Sequence, residues 1–316
     1  MEINTLNEIL NFIEAKYRIS EKLDLPPSGQ REVFLAENIS TGETCIAKIC
    51  DTIPVNISRI QREIRILSGL DSKYFPKFYF QSFISRDIIS NLFDSFDPRV
   101  EHEKKRIEEL KSEQIYPFLI TIEEFIEHVH WKDAIETIRE EKNLIELLIH
   151  LFQALSLLWQ KKIVHRDLKP DNILLRKNLL PVIIDLGIAK SFRDGTQNLT
   201  HYLFDTPCTY QYAALEQLIN SKTEITYKTD QFAIGVIAFQ ILTDKFPYGV
   251  VKEEGVEKIV DNLLCERSES FLNNNKFANV NLVKFIEKLL QAKPYKRFRN
   301  VEMILMKLQE IRGELA

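Results

Sequence analysis

The stretch from His165 to Gly187 constrains this chain more than any other part of the sequence. It contains three acids, an amide and a lysine, which lie before and after the apolar runs at Ile173–Leu175 and Pro181–Ile184. Runs of this length and composition predict short buried strands. Because polar residues at neighbouring strand ends converge, we expect a carboxylate that accepts a hydroxyl proton near oxygen ligands for a hard cation such as Mg2+.

Protein kinases are the family that this stretch resembles. The catalytic loop of that family is similar to residues 165–172, which read HRDLKPDN, and its metal-binding DFG motif is similar to residues 185–187, which read DLG. The resemblance implies that Asp167 is the catalytic base and that Lys169 stabilises the transferred phosphoryl group. It also implies that Asn172 and Asp185 hold Mg2+. Lys169 at this spacing is typical of serine/threonine kinases.

The resemblance implies an α+β, two-lobed fold over residues 17 to 312. A small lobe at 17–126 is expected to hold an antiparallel sheet and one helix, and 127–316 a mostly helical lobe. Residues 1–16 form a separate extension, in which Ile3, Leu6, Leu10 and Ile13 have helical spacing. This helix either packs on the domain that follows or docks a partner.

The nucleotide half of the site is assigned by the same resemblance. Lys48 lies near the end of a strand-like segment, Thr44–Ile49, and matches the lysine that contacts the nucleotide phosphates. Glu63, the only carboxylate between Thr52 and Leu70, is expected to pair with it. The other residues that the resemblance places around the nucleotide are Val33, the Ile46–Ala47 pair, Glu124, Ile126 and Leu174.

The loop that covers the phosphates departs from the family pattern. Its three glycine positions fall on Pro26, Ser28 and Arg31, and Gly29 is the only glycine nearby. Glycines let backbone N–H groups approach phosphates, whereas proline removes a donor. Arg31 either directs its guanidinium at a phosphate or faces solvent.

Two features before the catalytic loop have alternative interpretations. The segment Pro117–Ile126 resembles the strand that leads into the hinge between the two lobes in this family. The family match places Glu123 at the back of the nucleotide pocket. A shift of one residue would place Ile122 there instead. Residues 84–115 form an insertion whose charged run predicts a solvated helix, and it serves either as a partner-docking element or as a surface elaboration.

The segment after Gly187 resembles a kinase activation segment. Arg166 implies control by a phosphate there. The candidate phosphorylated residues are Ser191, Thr196, Thr200, Tyr202 and Thr206. We hypothesise that Asp205 partly substitutes for that phosphate. The resemblance also implies a structural bridge between Glu216 and Arg297, and an anchoring role for Asp230 on the catalytic-loop backbone.

Net charge and cysteine content limit the classes of partner and the cellular compartment that we expect. The formal net charge of −4 provides no reason to expect nucleic-acid or anionic-membrane binding. The four cysteines have no zinc-site spacing, and without a signal-like start they indicate reduced thiols in the cytoplasm.

The leading functional interpretation is ATP- and Mg2+-dependent phosphorylation of serine or threonine in proteins, including autophosphorylation. A pseudokinase scaffold is the first alternative, favoured by the glycine-poor loop. A small-molecule phosphotransferase is the second, because related folds share the aspartate and the asparagine.

Overall fold

Five antiparallel strands form one sheet in the first part of the chain. They are β1 (Tyr17–Lys22), β2 (Arg31–Asn38), β3 (Thr44–Asp51), β4 (Phe78–Ile84) and β5 (Phe118–Glu124). Their order across the sheet is β1-β2-β3-β5-β4. The computed structural model describes residues 2–23, 31–51, 54–112, 115–186, 190–191, 210–219, 221, 223–266 and 279–315. The chain divides into two compact units, one of residues 1–71 and 76–125, the other of residues 72–75 and 126–316.

The described part of the first unit also contains four helices, of which the charge and apolar patterns predict all but α3. These are α1 (Ile3–Phe12), α2 (Pro54–Leu67), α3 (Arg86–Asp94) and α4 (Glu101–Ser112). Helix α2 begins at Pro54, because proline fits the first helical turn. The insertion therefore contributes two helices, α3 and α4.

Helices α1 and α3 pack with one face of the sheet in a single apolar cluster. Leu6, Ile9 and Leu10 are each 1% exposed and join Ile89 and Leu92 of α3 there. This confirms the packing interpretation of the N-terminal helix. Partner docking by the insertion stays a prediction.

Polar contacts attach α1 to the insertion and to β1. The Arg106 guanidinium of α4 donates to Glu8 at 2.9 Å and to the Thr5 hydroxyl at 2.9 Å. The Asn7 amide forms two hydrogen bonds with the backbone of Ile19, at 2.7 and 2.8 Å. The N-terminal helix and the insertion thus belong to one layer of the first unit.

Truncation of a buried side chain of α1 is expected to destabilise the first unit. Leu10→Ala should lower the free energy of unfolding by about 2–5 kcal/mol, because a buried leucine leaves a cavity. Asn11→Ala, on the exposed side of the same helix, serves as the control. Urea denaturation measures both variants, and equal midpoints would contradict a core role for α1.

The second unit is mostly helical. Its helices are α5 (Trp131–Arg139), α6 (Glu141–Gln160), α7 (Leu215–Leu218), α8 (Tyr227–Thr243), α9 (Val251–Glu254), α10 (Val256–Leu264), α11 (Val280–Leu289) and α12 (Val301–Glu314). Two short antiparallel pairs join them, β6 (Ile163–Val164) with β9 (Lys190–Ser191) and β7 (Ile173–Leu175) with β8 (Pro181–Ile183). Within the described part of the chain, no helix has the length and apolar character needed to cross a membrane.

The apolar run at residues 75–80 is divided between the two units. The sequence indicates one strand there, but β4 begins only at Phe78, and Phe75 belongs to the second unit with 1% exposure. The carbonyl of Tyr74 accepts from the Ile183 N–H at 2.8 Å, and its hydroxyl lies 3.0 Å from His150 Nδ1. These contacts hold residues 72–75 in the second unit, so the predicted strand start was wrong by three residues.

Candidate active site

The catalytic loop of the second unit is anchored by one buried carboxylate. Asp230, near the start of α8, is 1% exposed and accepts from the N–H groups of His165 at 3.0 Å and Arg166 at 2.9 Å. The indole N–H of Trp159 donates to it at 2.9 Å. Burial raises the pKa of Asp230, whereas His165 and these hydrogen bonds oppose that rise. The predicted anchoring role is confirmed.

The candidate base, Asp167, is held by two neighbours on the same loop. Asn172 Nδ2 donates to the Asp167 carbonyl at 2.7 Å and to its carboxylate Oδ2 at 3.1 Å. Lys169 Nζ lies 3.2 Å from the same Oδ2. Burial raises the pKa of Asp167, the Lys169 ammonium opposes this, and the Asp185 carboxylate raises it further. The loop therefore presents a fixed carboxylate beside a cation.

The donor set expected for Mg2+ is chemically suitable. Asn172 uses its amide N–H for Asp167, and its Oδ1 is an acceptor of the kind that the expected ligand role requires. The Asn172 carbonyl accepts from the Ile184 N–H at 2.9 Å, which ties the loop to the residue before Asp185. An amide oxygen and carboxylates are ligands that suit Mg2+.

Two residues of this region have left-handed backbones. Arg166 has φ of 74° and Asp185 has φ of 59°. Non-glycine residues adopt this region rarely, and such conformations cluster at functional sites. Their positions next to Asp167 and at the expected metal ligand fit that tendency.

In the first unit, Lys48 has two carboxylate neighbours. Its Nζ lies 2.6 Å from Glu123 Oε2 and 3.6 Å from Glu63 Oε1. Both glutamates are almost fully buried, with 2% exposure for Glu63 and 3% for Glu123. The expected Lys48–Glu63 ion pair is present, but the shorter contact was not expected. The cavity beside them is lined by Lys48, Cys50, Glu63, Ile64, Leu119, Thr121 and Glu123.

The register between β3 and β5 decides which residue faces Lys48. Thr121 lies directly opposite Lys48, so Glu123, two residues further, shares its face of the sheet. Ile122 lies opposite Ala47, and both are 0% exposed in the core cluster on the other face. Glu123, and not Ile122, therefore lies beside the lysine. The strand pairing decides between the two residues that the sequence left open.

The remaining candidates of the first unit lie on β2, β3 and the end of β5. Val33 is opposite Lys48 in the β2–β3 pairing, and Ile46 shares the face of Lys48, whereas Ala47 points into the core. The Glu124 N–H donates to the Lys77 carbonyl at 2.8 Å. Of the Ile46–Ala47 pair, Ile46 is therefore the residue on the face of Lys48, and its contact to a nucleotide stays a prediction.

Two further candidates belong to the second unit. Ile126 is 3% exposed, and its carbonyl accepts from His128 Nδ1 at 2.8 Å when that nitrogen carries the proton. Leu174 of β7 is half-buried and pairs with Val182. Their contacts to a nucleotide stay a prediction.

A buried bidentate ion pair supports the region after the activation segment. Arg297 Nη1 and Nη2 donate to Glu216 Oε1 and Oε2 at 2.7 and 3.0 Å, and the Thr229 hydroxyl donates to Oε1 at 2.9 Å. The guanidinium also lies 5.0 Å from the centre of the Phe232 ring. The predicted Glu216–Arg297 bridge is confirmed. Sequence reasoning missed Gln217, whose side-chain N–H donates to the Arg166 carbonyl at 2.8 Å.

Several sequence predictions fall outside the described residues. They concern the glycine-poor loop and most of the activation segment, namely Pro26, Ser28, Gly29, Gly187, Thr196, Thr200, Tyr202, Asp205 and Thr206. The side chains of Arg31 and Ser191 are outside as well, although their backbones belong to β2 and β9.

Comparison with known proteins gives a consistent family. The model of the protein kinase domain matches residues 29–308. A probable serine/threonine-protein kinase PknB of Lactococcus lactis is 32% identical over 104 residues, which are 33% of this chain and 16% of that protein. Probable serine/threonine-protein kinases of Clostridium acetobutylicum and Clostridium perfringens are 25% identical over 175 residues and 26% identical over 194 residues. Those segments cover 55% and 60% of this chain, but only 25% and 27% of the relatives.

Proposed function

This chain belongs to the protein kinase family, and from that premise we propose that it transfers the terminal phosphoryl group of ATP to serine or threonine hydroxyls of proteins. The observation that carries the proposal is the Asp167 carboxylate, held by Asn172 and flanked by Lys169. A carboxylate in this position orients a hydroxyl group and accepts its proton. The Lys169 ammonium offsets negative charge on the group in transfer.

The remaining roles concern the phosphates. We assign the Asn172 Oδ1 and the Asp185 carboxylate as ligands of Mg2+, which when bound neutralises charge on phosphate oxygens. In the first unit, Lys48 supplies an ammonium to the phosphates. Glu63 and Glu123 orient that ammonium through the contacts at 3.6 and 2.6 Å.

Protein hydroxyls are the proposed acceptors because of two features of the second unit. Lys169 follows Asp167 at the spacing typical of serine/threonine kinases. The Glu216–Arg297 bridge supports the end of the segment that contacts protein substrates in this family. The relatives named as serine/threonine kinases are consistent with this acceptor class.

A transfer assay tests the proposal. The purified chain is incubated with γ-labelled ATP and Mg2+, with and without a generic protein substrate such as casein. We expect label on protein serine or threonine, identified by phosphoamino-acid analysis, and loss of labelling with EDTA. Nucleotide binding without transfer would favour the scaffold alternative. Label on phosphotyrosine alone would contradict the acceptor class.

Replacement of a metal ligand has a specific expected signature. Asp185→Asn should raise the Mg2+ concentration needed for half-maximal transfer by about 10- to 100-fold, because an anionic oxygen ligand becomes neutral. Titration of Mg2+ and Mn2+ at fixed ATP measures the shift. Asp171→Asn, an exposed change on the catalytic loop, should leave the metal requirement unchanged. An unaltered titration for Asp185→Asn would contradict its assignment as a ligand.

A further inference from the structure

Glu123 makes the shorter of the two carboxylate contacts to Lys48. The ammonium donates to its Oε2 at 2.6 Å, a charge-assisted hydrogen bond. Glu63 Oε1 lies 3.6 Å away, close enough for an ion pair but too far for a hydrogen bond of ordinary length. The principal partner of the lysine therefore comes from β5 and not from α2.

The two carboxylates that contact Lys48 belong to different kinds of secondary structure, a strand and a helix. Strands β3 and β5 pair without a register shift from Cys45 opposite Glu124 to Asp51 opposite Phe118. Thr121, opposite Lys48, is 3% exposed, so the strand around Glu123 is buried as well as paired. A carboxylate on this strand keeps its position relative to Lys48 through the sheet's own hydrogen bonds. Glu63 is carried by a separate helix.

Burial makes both contacts electrostatically significant. The side chains of Glu123 and Glu63 are 4% and 3% exposed, and that of Lys48 is 17% exposed. Buried carboxylates require a compensating cation, and Lys48 lies within ion-pair distance of both. An ammonium has three N–H donors, so contact with these two carboxylates does not by itself prevent it from contacting a phosphate oxygen.

We propose that Glu123 is a second positioning residue for Lys48 and that it holds the ammonium for the nucleotide phosphates independently of Glu63. This inference rests on the proposed function, since it assumes that Lys48 contacts a nucleotide. It makes nucleotide binding by this chain less dependent on α2 than a single Lys48–Glu63 pair would be.

Steady-state kinetics of three variants test the proposal. Glu123→Gln keeps the shape of the side chain but removes its charge, and should raise KM for ATP by about tenfold, with a smaller change in kcat. Glu63→Gln should raise it by no more than about threefold, and the double variant by about the product of the two, because each carboxylate holds the ammonium independently of the other. Glu37→Gln, an exposed glutamate of β2, is the control for charge.

Three outcomes would overturn the inference. One is a larger rise for Glu63→Gln than for Glu123→Gln. Another is an unchanged KM for Glu123→Gln. The third is a lower KM for Glu123→Gln, because it would mean that Glu123 draws Lys48 away from the phosphates. Binding of adenosine, which lacks phosphates, should be equal in all variants, and a parallel loss of adenosine binding would indicate general damage to the pocket.

A measurement without nucleotide separates this inference from the proposed function. Double-mutant cycles with Lys48→Met, read from urea denaturation, give the coupling of Lys48 to each glutamate. The coupling to Glu123 should exceed the coupling to Glu63. Absence of ATP binding by the wild-type chain would contradict the proposed function, and the pairing of Lys48 with Glu123 would still be decided by the cycle. A stronger coupling to Glu63 would overturn it.

Discussion

Asp167→Asn is expected to lower the rate of phosphoryl transfer by a factor of about 10³, in the range that loss of a general base produces. The substitution preserves the size of the side chain and an oxygen that accepts from Asn172. It removes the negative charge that accepts the hydroxyl proton. Transfer of label from ATP under saturating substrate measures the effect. Asp171→Asn, four residues further on the exposed side of the loop, should keep wild-type activity.

The same variant has an expected effect on stability with a definite sign. Burial raises the pKa of Asp167 above its ordinary value of 3.8, so the folded chain binds this proton more tightly than the unfolded chain does. The free energy of unfolding therefore falls as the pH rises from the ordinary pKa of this carboxyl to its raised pKa in the folded chain, because the buried carboxylate ionises in that range. Asp167→Asn avoids this cost, so it should unfold at a urea concentration equal to or above that of wild type at neutral pH. Loss of both activity and stability would mean that Asp167 is structural, and would contradict its assignment as the base.

Breaking the Glu216–Arg297 bridge is expected to have the largest effect on stability. Arg297→Met leaves a carboxylate that is 1% exposed without its bidentate partner, and should lower the free energy of unfolding by about 3–5 kcal/mol. Glu216→Gln replaces the anionic partner of the buried Arg297 guanidinium with a neutral amide. It should lower the free energy of unfolding by a similar amount. Chemical denaturation followed by circular dichroism measures both variants.

Additivity and an exposed ion pair provide the controls for that prediction. The double variant should be destabilised by less than the sum of the single variants, because neither buried charge is then left alone. Lys307 and Glu310 form an exposed pair in the same unit at 2.9 Å, and Glu310→Gln should have no measurable effect. If Arg297→Met were as mild as Glu310→Gln, the bridge would not support the fold.

Local sequence patterns predicted much of the second unit because its catalytic elements are short and nearly contiguous. The two short strands around the catalytic loop, β7 and β8, lie where the apolar runs indicated. Leucines at helical spacing from Leu144 to Leu158 indicate a long helix with one buried face, and α6, Glu141–Gln160, is present there. Asp230 and Arg297 are distant in sequence from their partners, and only the family resemblance identified those pairings. The contacts to Asp167 follow from a loop of eight residues, so little tertiary information was needed.

Sequence patterns were less informative where an apolar segment could be buried against more than one part of the structure. The run at residues 75–80 has the composition of one strand, but Phe75 is buried in the second unit while Phe78 begins β4. The insertion was expected at the surface, yet α3 buries Ile89 and Leu92 in the cluster that contains α1. Amphipathic spacing indicates that a helix has a buried face, but it does not identify the surface that covers it.

The sequence by itself determined the family, and it predicted the catalytic base and the residues available to a metal ion and to phosphates, because those side chains occur in motifs read along the chain. Only the tertiary structure decided that Glu123 and not Ile122 lies beside Lys48, and that two carboxylates share one ammonium. The reason is that successive side chains of a strand point to opposite faces. A shift of one residue in strand pairing exchanges the two faces, and that pairing is set by contacts between β3 and β5, about 75 residues apart in the chain.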